Sequence, residues 1–315
     1  MDKFRRIGVY GGGSWGSALA CQIARCNEKV PLFLRSIDVI NEILNNNTIT
    51  KYFGDFLLPK NIIPSNNILS LLDQEVVIIA VPSASFSSAM ETLKKANLSP
   101  DIVLLIATKG IGSDPVELFA DKIRSNFSNP IAFISGPNFA KEVAMDFLSS
   151  VTIASVDINL AKKLEYSLKS DNFIITTSDD IITLQIAGAM KNIIAIKSGM
   201  YDASGYGENA KAWLITEGLR EIMILSKTLN GKGDILISPA VLGDLVLTCY
   251  SKTSRNTKFG YELYKQKNID EFLRNHPYLV EGVESAKLVI HFVEKYNLDL
   301  PIVSSVAEAL NLYNK

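Results

Sequence analysis

Five short apolar strings, RIGVY (6–10), VPLFL (30–34), VVIIAV (76–81), IVLLIAT (102–108) and AFIS (132–135), divide the first half of the chain. They are rich in β-branched residues and almost unbroken by polar ones. A strand packed on one face alternates apolar with polar residues, whereas a strand covered on both faces does not. Amphipathic segments of helical period lie between the strings. The pattern therefore predicts parallel strands alternating with helices, a doubly wound α/β sheet. VTIAS (151–155) and FIITTS (173–178) are read as extending the same sheet.

After Ser178 the period changes. SDDIITLQIAGAMKNIIAIKSGM (178–200) opens on a helix-start signal and then repeats apolar residues at helical spacing. Nearly every later segment reads as helix, so the chain divides into a sheet domain over residues 1–183 and an all-helical domain over 184–315. With 315 residues and 47% hydrophobic content, two cores can be buried. Lys and Arg number 32 against 33 acids, a net charge of −1 that gives no overall field favouring nucleic acid or an anionic membrane. No apolar run is long enough to span a bilayer, and the N-terminus does not read as a signal peptide. Cys21, Cys26 and Cys249 are odd in number and lack metal-ligand spacing, which predicts reduced thiols, no metal site and a cytoplasmic protein.

The stretch YGGGSWG (10–16) follows the first apolar string directly. Gly11-x-Gly13-x-x-Gly16 at a strand-to-helix junction is the dinucleotide fingerprint: the first glycine makes the turn, the second admits a pyrophosphate, and the third lets helix pack on strand. The other reading is a merely tight βα turn. At the end of the second strand, where an NAD-specific site carries Asp or Glu, stands Arg35. A guanidinium suits a 2′-phosphate, so NADPH should be accepted alongside NADH and preferred, unless Arg35 is an ordinary surface residue. Asp38 lies too far into the next turn to replace an acid there.

Reduction of a carbonyl needs a proton donor at its oxygen. The two histidines, His276 and His291, lie late in the chain, in a turn before proline and in an amphipathic helix. Lys191 interrupts a strongly apolar helix, IAGAMKNIIAI, and must either snorkel to solvent or be used. Lys109 ends the string LLIATKG, at the sheet edge where doubly wound folds bind ligands; two ammonium groups brought together there would lower each other's pKa. Asp244 and Thr248 are four apart and share a helix face. SerArgAsn at 254–256, before a helix, reads either as a phosphate cradle or as a capped loop with a solvent arginine.

Nine blocks in order, GGGSWGSALA, VPSASF, ATKGI, SGPNFAKEV, GAMKNIIAI, GYGENAKAWLIT, VLGDLVLTC, SRNTKFG and VEGVESA, make the chain resemble NAD(P)-dependent glycerol-3-phosphate dehydrogenases of the bacterial soluble type. The resemblance implies a Rossmann-type domain followed by a helical domain like that of 6-phosphogluconate dehydrogenase. It implies reversible reduction of dihydroxyacetone phosphate to sn-glycerol 3-phosphate for phospholipid synthesis, and a homodimer formed through the helical domain. Lys191 matches the family's proton donor. Lys109, Gly136, Asn138, Asp244, Ser254, Arg255 and Asn256 match substrate positions. Gly11, Gly13, Ser14, Trp15, Gly16, Arg35, Lys109, Ala140, Arg255, Leu279 and Glu281 match cofactor positions.

Three positions depart from the family pattern. Asn138 replaces the usual Ser or Thr, Glu217 the usual Arg, and Leu279 a common Val. The first implies altered hydrogen-bond geometry at the substrate, and the second puts any ion pair at that point of its helix in doubt. Hydroxyacyl-CoA dehydrogenases of similar build use a histidine acid and nucleotide-sugar dehydrogenases a cysteine nucleophile, and neither residue is suitably placed here. A 6-phosphogluconate-type enzyme would share the lysine–asparagine pair but not GDLVLTC followed by SRN. A non-catalytic NADPH sensor would need the glycines without Lys191, Lys109 and Asp244 together.

Overall fold

The computed structural model describes residues 2–113, 115–251, 253–277 and 280–314. Two compact units emerge: Met1–Lys109 with Phe119–Ile181, and Gly110–Leu118 with Ile182–Lys315.

The first unit is built on eight strands: β1 (Ile7–Tyr10), β2 (Val30–Phe33), β3 (Ile62–Ser65), β4 (Val76–Ile79), β5 (Val103–Ile106), β6 (Ile131–Ser135), β7 (Ser149–Ala154) and β8 (Phe173–Ser178). Helices α1 (Ser14–Ala24), α2 (Ile37–Asn46), α3 (Thr50–Phe53), α4 (Phe86–Lys95), α5 (Phe119–Arg124), α6 (Ala140–Ala144) and α7 (Ile158–Leu168) connect them. The strand order is β3-β2-β1-β4-β5-β6-β7-β8, parallel throughout except between β6 and β7. Every residue of β1, β4, β5 and β6 is buried, as their unbroken apolar strings require. β8 lies at an edge and exposes Ile174.

β1 pairs with β2 on one side and β4 on the other. The chain winds outward from β1 through β2 to β3 and then returns to β4, so the gap beyond the carboxyl ends of β1 and β4 is the topological switch point of the sheet. The glycine turn lies there.

The second unit is helical: α8 (Ile181–Ser204), α9 (Glu208–Thr228), α10 (Asp244–Tyr250), α11 (Arg255–Tyr264), α12 (Ile269–Asn275), α13 (Glu281–Tyr296) and α14 (Pro301–Ala309). α8 is buried on nearly every face between residues 183 and 199, which explains its lack of amphipathic pattern. Ser178 marks its start, accepting a hydrogen bond from the Asp180 amide at 3.0 Å. α8 and α11 touch backbone to backbone. A Cβ on Gly199 would stand 1.9 Å from the Thr257 carbonyl oxygen, and one on Gly260 1.9 Å from that of Ile196. No described helix is long and apolar enough to cross a membrane.

Candidate active site

In the first unit, Gly11 follows β1 with φ +123°, a backbone that side chains rarely adopt. Its amide donates to the Phe33 carbonyl at 2.9 Å. A Cβ on Gly16 would lie 1.9 Å from the Gly11 carbonyl oxygen, so glycine is what lets α1 sit this close to the turn. Gly13 is different. It is the N-cap of α1, makes no side-chain cap, and nothing stands within 4 Å of where its Cβ would be. Its neighbourhood is open, and the first amides of α1, with Ser14 exposed among them, have no side-chain acceptor. The Trp15 indole N–H is buried without a hydrogen-bond partner while its ring packs on the core.

This turn borders a cavity of about 390 Å³ whose wall also includes Arg35 and Ser36, Lys51 and Tyr52 of α3, and Ala80 to Pro82. Its size lies within the roughly 300–1,000 Å³ usual for small-molecule and cofactor sites. A cradle emptied of side chains, open helix amides and two cations fit a dinucleotide: Gly11 to Gly16 would hold the pyrophosphate, and Arg35 the adenosine ribose. The carboxyl ends of β4 and β5 are tied by Thr108, whose hydroxyl donates to the Val81 carbonyl at 2.9 Å. Next to it, the Lys109 ammonium donates to the Gly136 carbonyl at 3.4 Å. Asn138 donates its amide to the Ser150 carbonyl at 2.9 Å, and its own carbonyl oxygen is enclosed. The amide N–H that could have replaced a hydroxyl toward substrate is thus directed at β7. Ala140 opens α6, whose far end is held by Arg25 through the carbonyls of Val143 and Ala144 at 3.2 and 2.6 Å.

In the second unit, Lys191 is 8% exposed and Asp244 2%. Nζ meets Asp244 Oδ1 at 2.5 Å and donates to the Thr248 hydroxyl at 3.3 Å. The Thr248 proton goes to the Asp244 main-chain carbonyl at 2.6 Å. Asp244 is the first residue of α10, directly after a single π-helical turn at Pro239–Gly243, the kind of irregularity that often marks a functional position. Cys249 lies beside this group, but burial pushes its thiol up to about 12, so it is no nucleophile near neutrality.

A chain of amides secures the surroundings. Asn192 Oδ1 accepts from Asn256 Nδ2 at 2.9 Å, Asn256 Oδ1 accepts from the Gly282 amide at 3.0 Å, and Asn192 Nδ2 reaches Glu281 Oε2 at 3.4 Å. The starts of α11 and α13 are thereby fixed to α8. Ser254 caps α11 by accepting from the Thr257 amide at 3.3 Å, and Arg255 beside it is exposed. Leu279 lies outside the described residues. Glu217 forms a new pair, accepting from Arg220 Nε at 2.6 Å one helical turn along α9. The second unit so gathers Lys191, Asp244, Asn256 and Glu281; the first gathers Gly11, Gly13 and Arg35 around one cavity, with Gly16 packed against the Gly11 carbonyl, and Lys109 with Gly136. Thr248 and Asn192 are further members. The four-residue spacing from Asp244 signalled Thr248, and the lysine–asparagine pair within GAMKNIIAI pointed to Asn192. His276 and His291 take no part, and the described residues contain no cluster able to hold a metal.

Models of the NAD-dependent glycerol-3-phosphate dehydrogenase N-terminus and C-terminus match residues 6–161 and 180–314. The glycerol-3-phosphate dehydrogenase [NAD(P)+] of Rickettsia bellii is 51% identical over 314 residues, covering 98% of this chain and all of that one. That of Rickettsia typhi is 48% identical, with 99% and 98% covered. The crystal structure of glycerol-3-phosphate dehydrogenase from Coxiella burnetii superposes with a TM-score of 0.89 at 31% identity, covering 98% of this chain and 94% of that one. With both halves matched in order and relatives near half identical along the full length, the chain belongs to the NAD-dependent glycerol-3-phosphate dehydrogenase family.

Proposed function

We propose that this chain catalyses the reversible, NAD(P)-linked interconversion of dihydroxyacetone phosphate and sn-glycerol 3-phosphate, and so supplies the backbone for glycerophospholipids. One observation carries the reading: a lysine ammonium on a buried helix, fixed by a carboxylate at 2.5 Å and a hydroxyl at 3.3 Å. A solitary lysine in such a place would have snorkelled outward. Held this way, the ammonium is preorganised to stabilise negative charge growing on a carbonyl oxygen and to give that oxygen its proton.

The nicotinamide, when bound, supplies or accepts the hydride. Lys191 donates its proton to the carbonyl oxygen during reduction and takes it from the hydroxyl during oxidation, while Asp244 and Thr248 keep Nζ aimed. By the family resemblance, Lys109, Gly136 and Asn138 of the first unit and Ser254, Arg255 and Asn256 of the second are substrate positions. Exposed Arg255 suits the phosphate, whose remoteness from the reacting carbon makes its binding energy useful for orientation. By the same resemblance, the glycine turn, Ser14, Trp15 and Ala140 of the first unit are cofactor positions, as are Leu279 and Glu281 in the sequence of the second. NADPH is the preferred form, supported by Arg35 at the cavity. We also infer a cytoplasmic homodimer formed through the helical unit, on which Trp213 and Ile237 are 53% and 87% exposed.

The test is absorbance at the nicotinamide band on mixing protein, NADPH and dihydroxyacetone phosphate. Substrate-dependent decay is expected, and Lys191→Ala should slow it by about 10²–10⁴-fold, the range for losing a general acid, with NADPH binding retained. No decay with wild-type protein overturns the reading.

A further inference from the structure

We propose that Lys51 is a second cation, beside Arg35, of a subsite for the phosphate on the adenosine ribose of the dinucleotide, and that the two together set the preference for the phosphorylated cofactor. The inference rests on the dinucleotide reading of the cleft and adds a residue that the glycine fingerprint and the β2 terminus do not contain. Both side chains line the same cavity as Gly13, although 16 positions separate them in sequence (35 and 51) and α2 lies between. No aspartate or glutamate is among the described residues lining it. Asp38, the acid nearest in sequence to Arg35, is not part of the wall.

The local chemistry favours a dianion. Neither cation has a carboxylate partner among the described residues, and Lys51 Nζ stands 5.7 Å from the centroid of the Tyr52 ring. Ser36, on the same wall, already accepts the Val39 amide at 3.4 Å as the cap of α2, which leaves its own proton for a phosphate oxygen. A planar guanidinium offers paired donors, and an ammonium on a flexible stem adds a mobile point charge. A ribose hydroxyl would gain little from two positive charges; a phosphate gains from both.

Fluorescence titration of NADPH and NADH, without substrate, tests this. Lys51→Ala should weaken NADPH by about tenfold, as expected for one charged hydrogen bond, and NADH by less than about twofold. Lys51→Arg should keep the preference, and the Arg35→Ala/Lys51→Ala pair should bring the two dinucleotides close to equal affinity. Lys51→Ala losing NADPH and NADH alike, or losing neither, overturns the proposal. Because the readout is binding, it is separable from the dehydrogenase reading, whose failure would appear as unchanged dinucleotide selectivity with no oxidation by dihydroxyacetone phosphate.

Discussion

Lys191 and Asp244 are each buried, and each would be costly alone. Taking a charge out of water is repaid here in part by the partner 2.5 Å away and by the hydroxyl of Thr248. Lys191→Met should therefore cost about 3–5 kcal/mol of stability, because it leaves the carboxylate buried without its ammonium. Replacing both, as Lys191→Met with Asp244→Leu, removes the two desolvation penalties together and should recover most of that loss. Turnover should not recover with it. Urea unfolding and steady-state rates on the three proteins check the separation; a double variant as unstable as the single one would show that the pair contributes to the fold beyond its own charges. The same logic explains the departures from the family pattern. Glu217 brings its own partner in Arg220, and Asn138 spends its N–H on Ser150, so each change is absorbed locally.

Among elements, α14 depends on a single acid from α9. Glu221 is fully buried and accepts the amides of Ile302 at 2.5 Å and Val303 at 3.1 Å, two of the otherwise unpaired donors at the start of α14. Burial outweighs these bonds and the nearby Arg220, and raises its carboxyl from 4.5 to about 7. A carboxyl raised on folding binds more protons in the native than in the unfolded state, so its contribution is complete below pH 4.5 and is lost as pH rises through 7. Thermal midpoints should fall between pH 5 and 8, and Glu221→Gln should flatten that part of the profile. An unaltered slope in the variant would assign the dependence to other groups. None of this was legible in the sequence, where Glu221 is one acid on an amphipathic helix and its acceptors' donors lie 81 and 82 positions away. Strands covered on both faces were legible because burial writes itself as unbroken apolar strings. β3 was not, since Pro64 sits inside it and an edge strand need not be apolar on both faces. The antiparallel turn between β6 and β7 also left no mark, because a string of apolar residues records burial and not direction.

The whole molecule divides its work as it divides its chain: the glycine turn and its cavity lie in one compact unit, Lys191 and its partners in the other. Ordered motif blocks named the candidate site residues, but not the pairings that hold them, which span 53 positions for Lys191 and Asp244 and 64 for Asn192 and Asn256. Local period carries no information at such separations. The fingerprint gives its glycines different work in the sequence, and in the structure their surroundings differ accordingly. Gly16 is held against backbone, so Gly16→Ala must push α1 off the turn and should lower the melting temperature with or without ligand. Gly13 has extended backbone, φ −73° and ψ 177°, and open space at its Cβ position. Gly13→Val should therefore melt like the wild type alone, yet its side chain would occupy the approach to the first amides of α1. Wild-type protein with NADPH at 100 times its dissociation constant should gain about 2.7 kcal/mol; Gly13→Val should gain almost none. Thermal melts of the three proteins with and without NADPH decide the matter. A ligand-dependent shift preserved in Gly13→Val would move the pyrophosphate away from this turn, since a site built on those amides cannot admit both a valine side chain and a phosphate.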